Sequence, residues 1–184
     1  MNQIKINYEY EVLLSIIKKE KHGRQLAKEL ETSLTRVQAI LKGLQQRSVL
    51  DYKTEGRNHV YFIKKNLVAK TYVLNAENYK LAKTVAKYPI LMPIFQDIIE
   101  KSKCTLIVLF GSYAKGIPKK DSDIDIYIET KDLKIKESIQ KMNDLVSVKI
   151  GAFNQENLLI KEIIKNHVII RGAEEFYEKI KFFE

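Results

Sequence analysis

The 184-residue chain has a single cysteine, three prolines, no Gly/Ser-rich linker and no long hydrophobic run. A membrane helix needs about 20 consecutive apolar residues, so no membrane span is expected. The lone Cys104 excludes a disulfide framework and a cysteine-based metal site. It is expected to sit in a strand as a small buried hydrophobe. The opening Met1-Asn2-Gln3-Ile4-Lys5 lacks the apolar stretch of a signal peptide, and a reducing cytoplasmic setting is the expectation. His22, His59 and His167 are far apart and show no ligand spacing, so each is expected at the surface or in a cap. Without a flexible linker, any join between domains is expected to be stiff.

What the chain does have is positive charge, unevenly placed. The net charge is +9 with 45% hydrophobic and 30% charged residues, the balance of a soluble globular protein. Residues 1–70 carry 14 Lys and Arg against 7 Asp and Glu, whereas the remainder carries 18 against 16. A basic first third favours a polyanionic partner, usually nucleic acid.

Apolar spacing predicts helices over Tyr8 to Lys19 and Arg24 to Leu30, with Gly23 breaking the pattern between them. Glu31-Thr32-Ser33 supplies a turn and a cap. Leu34, Val37, Ile40, Leu41 and Leu44 then form the buried stripe of a third helix. Leu50 to Lys64 reads as a β-hairpin turning at Glu55-Gly56-Arg57-Asn58. This order resembles a winged helix-turn-helix, whose second motif helix enters the DNA major groove. Thr35, Arg36, Gln38 and Lys42 lie opposite the buried stripe, and Arg57 lies at the wing tip. On this reading Arg36 and Gln38 reach base edges and Lys42 reaches a phosphate. The expected partner is double-stranded DNA, and a homodimer is compatible with the fold; a winged helix used for protein contacts is the alternative.

The domains are therefore placed at 1–70 for the winged helix, 71–102 for connecting helices and 103–184 for an α/β domain. Asn75-Ala76-Glu77 is the expected helix start in the connector, with Pro89 and Pro93 marking a break and restart. Beyond it, strands are predicted at 105–110, 123–129, 146–153 and 168–171, and helices at 133–145, 154–166 and 173–183.

The densest chemical signal is Leu-Phe-Gly-Ser-Tyr-Ala-Lys-Gly at 109–116 followed by Ser-Asp-Ile-Asp-Ile-Tyr-Ile at 122–128. A strand running into Gly111-Ser112 and a short helix offers backbone N–H groups to an anion, and glycine permits close approach. Lys115, Lys119 and Lys120 stand nearby in sequence. Asp123 and Asp125 are two apart in a strand, so they share a face with Tyr127, which is a candidate base contact. Paired carboxylates repel unless a cation sits between them, and oxygen ligands suit Mg²⁺ or Mn²⁺ shared with substrate phosphates.

This Gly-Ser and Asp-x-Asp spacing, with Ala114-Lys115-Gly116 and Ser122-Asp123, resembles the DNA polymerase beta-like nucleotidyltransferase superfamily, especially its minimal members, over roughly residues 104–172. The resemblance implies a mixed sheet flanked by helices. It implies a nucleoside triphosphate held by Gly111 and Ser112, assisted by Lys115, and Mg²⁺ held by Asp123 and Asp125. The reaction it implies is transfer of a nucleotidyl group to a hydroxyl with release of pyrophosphate. Minimal relatives often partner HEPN proteins, so a protein hydroxyl of that kind is an implied acceptor. One departure stands out. Active relatives usually carry a third carboxylate on a later strand, and here that strand reads Val146-Ser147-Val148-Lys149-Ile150. Asp144, just before it, is the candidate third acid, and Lys149 is a candidate phosphate contact. Two functions follow: a Mg²⁺-dependent nucleotidyltransferase coupled to a DNA-binding winged helix, or a DNA-binding regulator whose degenerate domain senses a nucleotide.

Overall fold

The computed structural model describes residues 5–141 and 143–184. Residues 1–4 of the N-terminal stretch, and Met142 in the helix expected over 133–145, lie outside the described residues. Two units are distinguished: Lys5–Tyr79 with Phe183–Glu184, and Lys80–Phe182.

The N-terminal unit opens with α1 (Tyr8–Lys18), β1 (Lys21–His22), α2 (Gly23–Glu29) and α3 (Leu34–Gln46). It continues with β2 (Leu50–Glu55), β3 (Asn58–Ile63) and the start of α4 (Leu67–Lys87). Side-chain caps set the helix starts. Asn7 accepts from the amides of Glu9 and Tyr10. His22 and Gln25 form a reciprocal capping box, and Ser33 accepts from the Arg36 amide. Each cap satisfies donors that a helix start leaves orphaned. Val12, Leu13, Ile16, Leu26, Val37, Leu41 and Leu44 are buried, so the helical stripes converge on one core. The strands form an antiparallel sheet in the order β1-β3-β2. Glu55 pairs with Asn58, leaving Gly56-Arg57 as a two-residue loop. Gly56 has φ 60°, as a tight hairpin with glycine first requires.

Helix α4 starts well before the expected Asn75-Ala76-Glu77. Asn66 Oδ1 accepts from the Ala69 amide at 2.8 Å, and burial of Ala69, Val73 and Ala76 along the helix outweighs the modest propensities of the intervening Thr and Val.

The C-terminal unit continues with α5 (Leu91–Ser102), β4 (Ile107–Leu109), α6 (Gly111–Lys115), β5 (Ile124–Glu129) and α7 (Leu133–Gln140). It closes with β6 (Val146–Gly151), α8 (Leu158–Lys165), β7 (Val168–Arg171) and α9 (Ala173–Lys179). Its sheet runs β6-β5-β4-β7. β5 and β6 are parallel, while β4 is antiparallel to both β5 and β7, so the sheet is mixed. Ile124, Ile126 and Ile128 pack in one core with Ile94, Phe95 and Ile98 of α5 and Ile139 of α7. Alternation along β5 therefore sends its apolar set to one face and Asp125, Tyr127 and Glu129 to the other.

Three expectations need correction. Cys104 precedes β4 and is only partly buried, because the strand starts at Ile107. His167 is buried with its ring against Phe176. Its Nδ1 lies 2.9 Å from the Ile163 carbonyl, so it still serves the end of α8. Tyr127, expected to face the site, is 1% exposed. Its hydroxyl donates to the Gly151 carbonyl at 2.9 Å and its ring meets Phe153 edge-on. Burial pushes its phenol well above the ordinary range, so it packs rather than binds a base. Among the described residues no helix is long and apolar enough to cross a membrane.

Candidate active site

Strand β4 ends at Leu109, and Phe110 donates its amide to the Asp125 carbonyl at 2.9 Å. That bond ties the start of the Gly-Ser turn to the beginning of β5. Gly111 follows with φ 69°, a left-handed conformation that glycine adopts without penalty. A Cβ built on Gly111 would collide with Asp125 Oδ2 and lie 3.0 Å from its Cγ. Asp125 therefore rests its carboxylate directly against the turn. This second duty of Gly111 was not readable from the sequence, where it served only phosphate approach.

Asp123 reaches the site from a different local structure. The Lys119 amide donates to Ser122 Oγ at 2.8 Å, and the Ser122 amide donates to the Lys119 carbonyl at 3.1 Å. This closed turn delivers an exposed Asp123 just ahead of β5. The turn is anchored further where the Ile124 amide donates to the Leu145 carbonyl at 2.7 Å.

Register fixes what faces the carboxylates. Asp125 pairs with Ser147 and Tyr127 with Lys149 across the parallel β5–β6 ladder. The Asp125 carboxyl is raised above its ordinary value, first by burial and then by the Asp123 charge. A hydrogen bond from Ser147 and the charge of Lys149 oppose that rise. A carboxylate strained by its neighbour in this way suits a cation shared between the two. The donor set therefore fits a divalent ion held by Asp123 and Asp125. Among the described residues, however, no group of three or more His, Cys, Asp or Glu is arranged to hold a metal. Asp144 is exposed in the turn before β6 and is not brought into such a group. Glu156 is exposed and pairs with Lys161 at 3.2 Å.

The remaining nucleotide-site candidates divide. Ser112 is partly buried in α6 beside Gly111. Lys115 is drawn to Glu162 of α8 at 2.7 Å, and that contact holds the Glu162 carboxyl below its ordinary value. Lys149 is exposed on β6.

In the N-terminal unit, Thr35, Arg36, Gln38 and Lys42 are all exposed on α3, and the Arg36 guanidinium lies 4.8 Å from the Tyr8 ring centroid. Gln38 and Arg57 are brought together with Arg24, Asn58 and His59 around a cavity of about 250 Å³. No carboxylate lines it. Thr35, Arg36 and Lys42 lie outside that lining.

Known proteins align with part of the chain. The family described as "Polymerase beta, Nucleotidyltransferase" matches residues 94–175. A Methanocaldococcus jannaschii protein named "Putative protein adenylyltransferase" is 36% identical over 98 residues, which span 50% of this chain and 94% of that protein. A crystal structure of a toxin–antitoxin with AMP-PNP aligns with TM-score 0.35 and 21% identity, covering 50% of this chain and 83% of that one. A mutant MntA–HpeT toxin–antitoxin structure aligns with TM-score 0.34 and 18% identity, covering 52% and 85%.

Proposed function

The chain belongs to the polymerase beta nucleotidyltransferase family, and from that premise we propose that it transfers a nucleotidyl group from a nucleoside triphosphate to a hydroxyl acceptor. The observation that carries this reading is the seating of the Asp125 carboxylate against Gly111. It supports a triphosphate turn and a metal-binding carboxylate working side by side, as an in-line displacement needs.

In the proposed reaction the acceptor oxygen forms a bond to the α-phosphorus while the bond from that phosphorus to the bridging oxygen breaks, and pyrophosphate leaves. The acceptor proton passes to water. Gly111 and Ser112 seat the phosphates, with Lys149 on the adjoining strand and Lys115 nearby as cationic contacts. Asp123 and Asp125 would hold Mg²⁺ or Mn²⁺, which supplies neutralisation of phosphate charge. Asp144 is the nearest candidate in sequence for a third acid. The name of the M. jannaschii relative supports an adenylyl group and a protein acceptor, and an acceptor of HEPN type is the one the sequence resemblance implies. A cytoplasmic setting accords with the single unpaired Cys104.

The test is transfer itself. Wild type and Asp123→Ala/Asp125→Ala are incubated with each labelled nucleoside triphosphate, Mg²⁺ or Mn²⁺, and hydroxyl acceptors including a HEPN protein. Label on an acceptor that disappears in the double variant is expected. Label on no acceptor would sink the enzyme reading.

A second reading is favoured by the carboxylate-free lining of the α2–α3–hairpin cavity. We read α2 and α3 as a helix-turn-helix and β2–β3 as its wing, binding double-stranded DNA while the C-terminal unit senses a nucleotide. Thr35, Arg36, Gln38, Lys42 and Arg57 are the proposed DNA contacts. Each phosphate contact contributes about 0.9 to the slope of log K against log salt. Lys42→Ala and Arg57→Ala should each flatten that slope by about 1 in fluorescence anisotropy on duplex DNA. A salt-independent wild type would refute DNA binding through phosphates.

A further inference from the structure

The face of β5 and β6 that presents Asp125 has an unusual charge make-up for a site expected to carry divalent cations. Asp125 sits beside Ser147 on the neighbouring strand, and the next rung of the ladder pairs Tyr127 with Lys149. Residues two apart on a strand share a face, so Ser147 and Lys149 flank Asp125 from β6. Tyr127 is buried and bound to Gly151, and the next acid of β5 on this face, Glu129, is held in an ion pair with Lys179 at 3.0 Å. Ser147, in register with Asp125, sets a hydroxyl rather than a carboxylate beside it. No third carboxylate, histidine or cysteine joins Asp123 and Asp125 in a metal-binding group among the described residues.

With Glu129 paired to Lys179, the protein leaves two negative charges, Asp123 and Asp125, and one positive charge, Lys149, at the Asp125 end of this face. A two-metal arrangement places dications about 4 Å apart, where their mutual repulsion is four times that of unit charges. Shared carboxylates must offset it. Here the carboxylates are two, a hydroxyl stands in register beside one of them, and a lysine is carried on the same face. A lysine ammonium, in contrast, is a compact point charge that serves as a phosphate partner.

We propose that this site takes one divalent cation per bound nucleotide rather than two, and that Lys149 supplies the remaining positive charge to the triphosphate. The inference rests on the nucleotidyltransferase reading of the same site. Ser147 is the position that decides the count, because an acid there would stand beside Asp125 in register.

Metal counting tests it with the full chain and the β,γ-imido analogues of the four ribonucleoside triphosphates. Bound Mn²⁺ is measured by loss of the free-ion electron paramagnetic resonance signal, and bound nucleotide by equilibrium dialysis. Wild type is expected to bind one Mn²⁺ per nucleotide, and Ser147→Asp two. Lys149→Met is expected to keep the count at one and weaken nucleotide binding at least tenfold. Two Mn²⁺ per nucleotide in wild type, or unchanged nucleotide affinity in Lys149→Met, would overturn the proposal while leaving the transferase reading intact. Binding of neither Mn²⁺ nor any analogue by folded wild type would overturn that underlying reading and the proposal with it. Circular dichroism of Ser147→Asp separates a misfolded variant from a refuted count, and Lys149→Met then carries the test.

Discussion

Gly56 and Gly111 share a left-handed backbone, with φ of 60° and 69°, yet their surroundings could hardly differ more. A side chain added at Gly56, in the hairpin loop of the N-terminal unit, would meet nothing within 4 Å. One added at Gly111 would run into the Asp125 carboxylate. The first glycine is there for the turn alone. The second serves a turn and a close approach to the Asp125 carboxylate. The same contrast runs through the two proposed sites. Around the hairpin, the exposed Arg57 lies in the two-residue loop, while Asn58 and His59 at its flank are tied into the β2–β3 ladder, with the His59 ring stacked on Tyr52. Around Gly111, the proposed site atoms are held by a strand ladder and a backbone bond from Phe110. Preorganisation of that kind is what transfer chemistry requires.

The sharpest way to break the comparison is to substitute both glycines. Gly111→Ala must displace Asp125 or the turn, and a displacement of about 1 Å at reacting groups costs on the order of a hundredfold in rate. Nucleotidyl transfer is therefore expected to fall by at least that factor in a single-turnover assay. Retention of more than a tenth of wild-type transfer would mean that the Asp125 contact is incidental. Gly56→Ala should cost only the backbone penalty, about 1–2 kcal/mol in urea unfolding, with transfer unchanged at a temperature where the variant is folded.

Much of this was legible in the sequence, and the misses have physical causes. The stripe of Val37, Leu41 and Leu44 and the Gly56-Arg57 loop follow from periodicity and turn chemistry. The shared face of Asp125 and Tyr127 follows from strand alternation. Alternation is silent, however, on what covers a face. Tyr127 points the expected way but is sealed by Phe153 and the Gly151 carbonyl. The start of α4 was misplaced because Asn66, its cap, follows two lysines in what reads as loop, while Asn75 offers a similar signal nine residues later. The contacts that matter most for the site, Gly111 with Asp125 and Ser147 with Asp125, join residues 14 and 22 apart in sequence. They depend on strand order, which no local pattern encodes. The substitution of Ser147 and Lys149 for an acid was visible in the sequence. Its consequence for Asp125 needed the parallel register of β5 and β6.

The smallest expected effects concern Asp125 itself and sharpen the contrast further. Its carboxyl is raised by burial and by Asp123, so the folded state binds a proton there more readily than the unfolded chain does. That contribution to stability is present below the ordinary aspartate range and is lost as pH rises through the raised value. At neutral pH the ionised Asp125 is thus a net cost to the fold. Asp125→Asn should stabilise the protein near pH 7, by less than about 1 kcal/mol because the group is only partly buried, while removing Mn²⁺ binding. Ser147→Ala removes the hydrogen bond that holds the carboxyl down. It should move the acid-side loss of Mn²⁺ affinity to higher pH, because more protonated Asp125 then survives at any given pH. Asp51 near the hairpin provides the control, since its side chain is 47% exposed beside Lys64 and lies in the other unit. Asp51→Asn should leave both the Mn²⁺ profile and stability at pH 7 within about 0.5 kcal/mol of wild type. Equal stabilisation by Asp51→Asn and Asp125→Asn would show that general charge, not the crowding at Gly111, sets the energetics of the site.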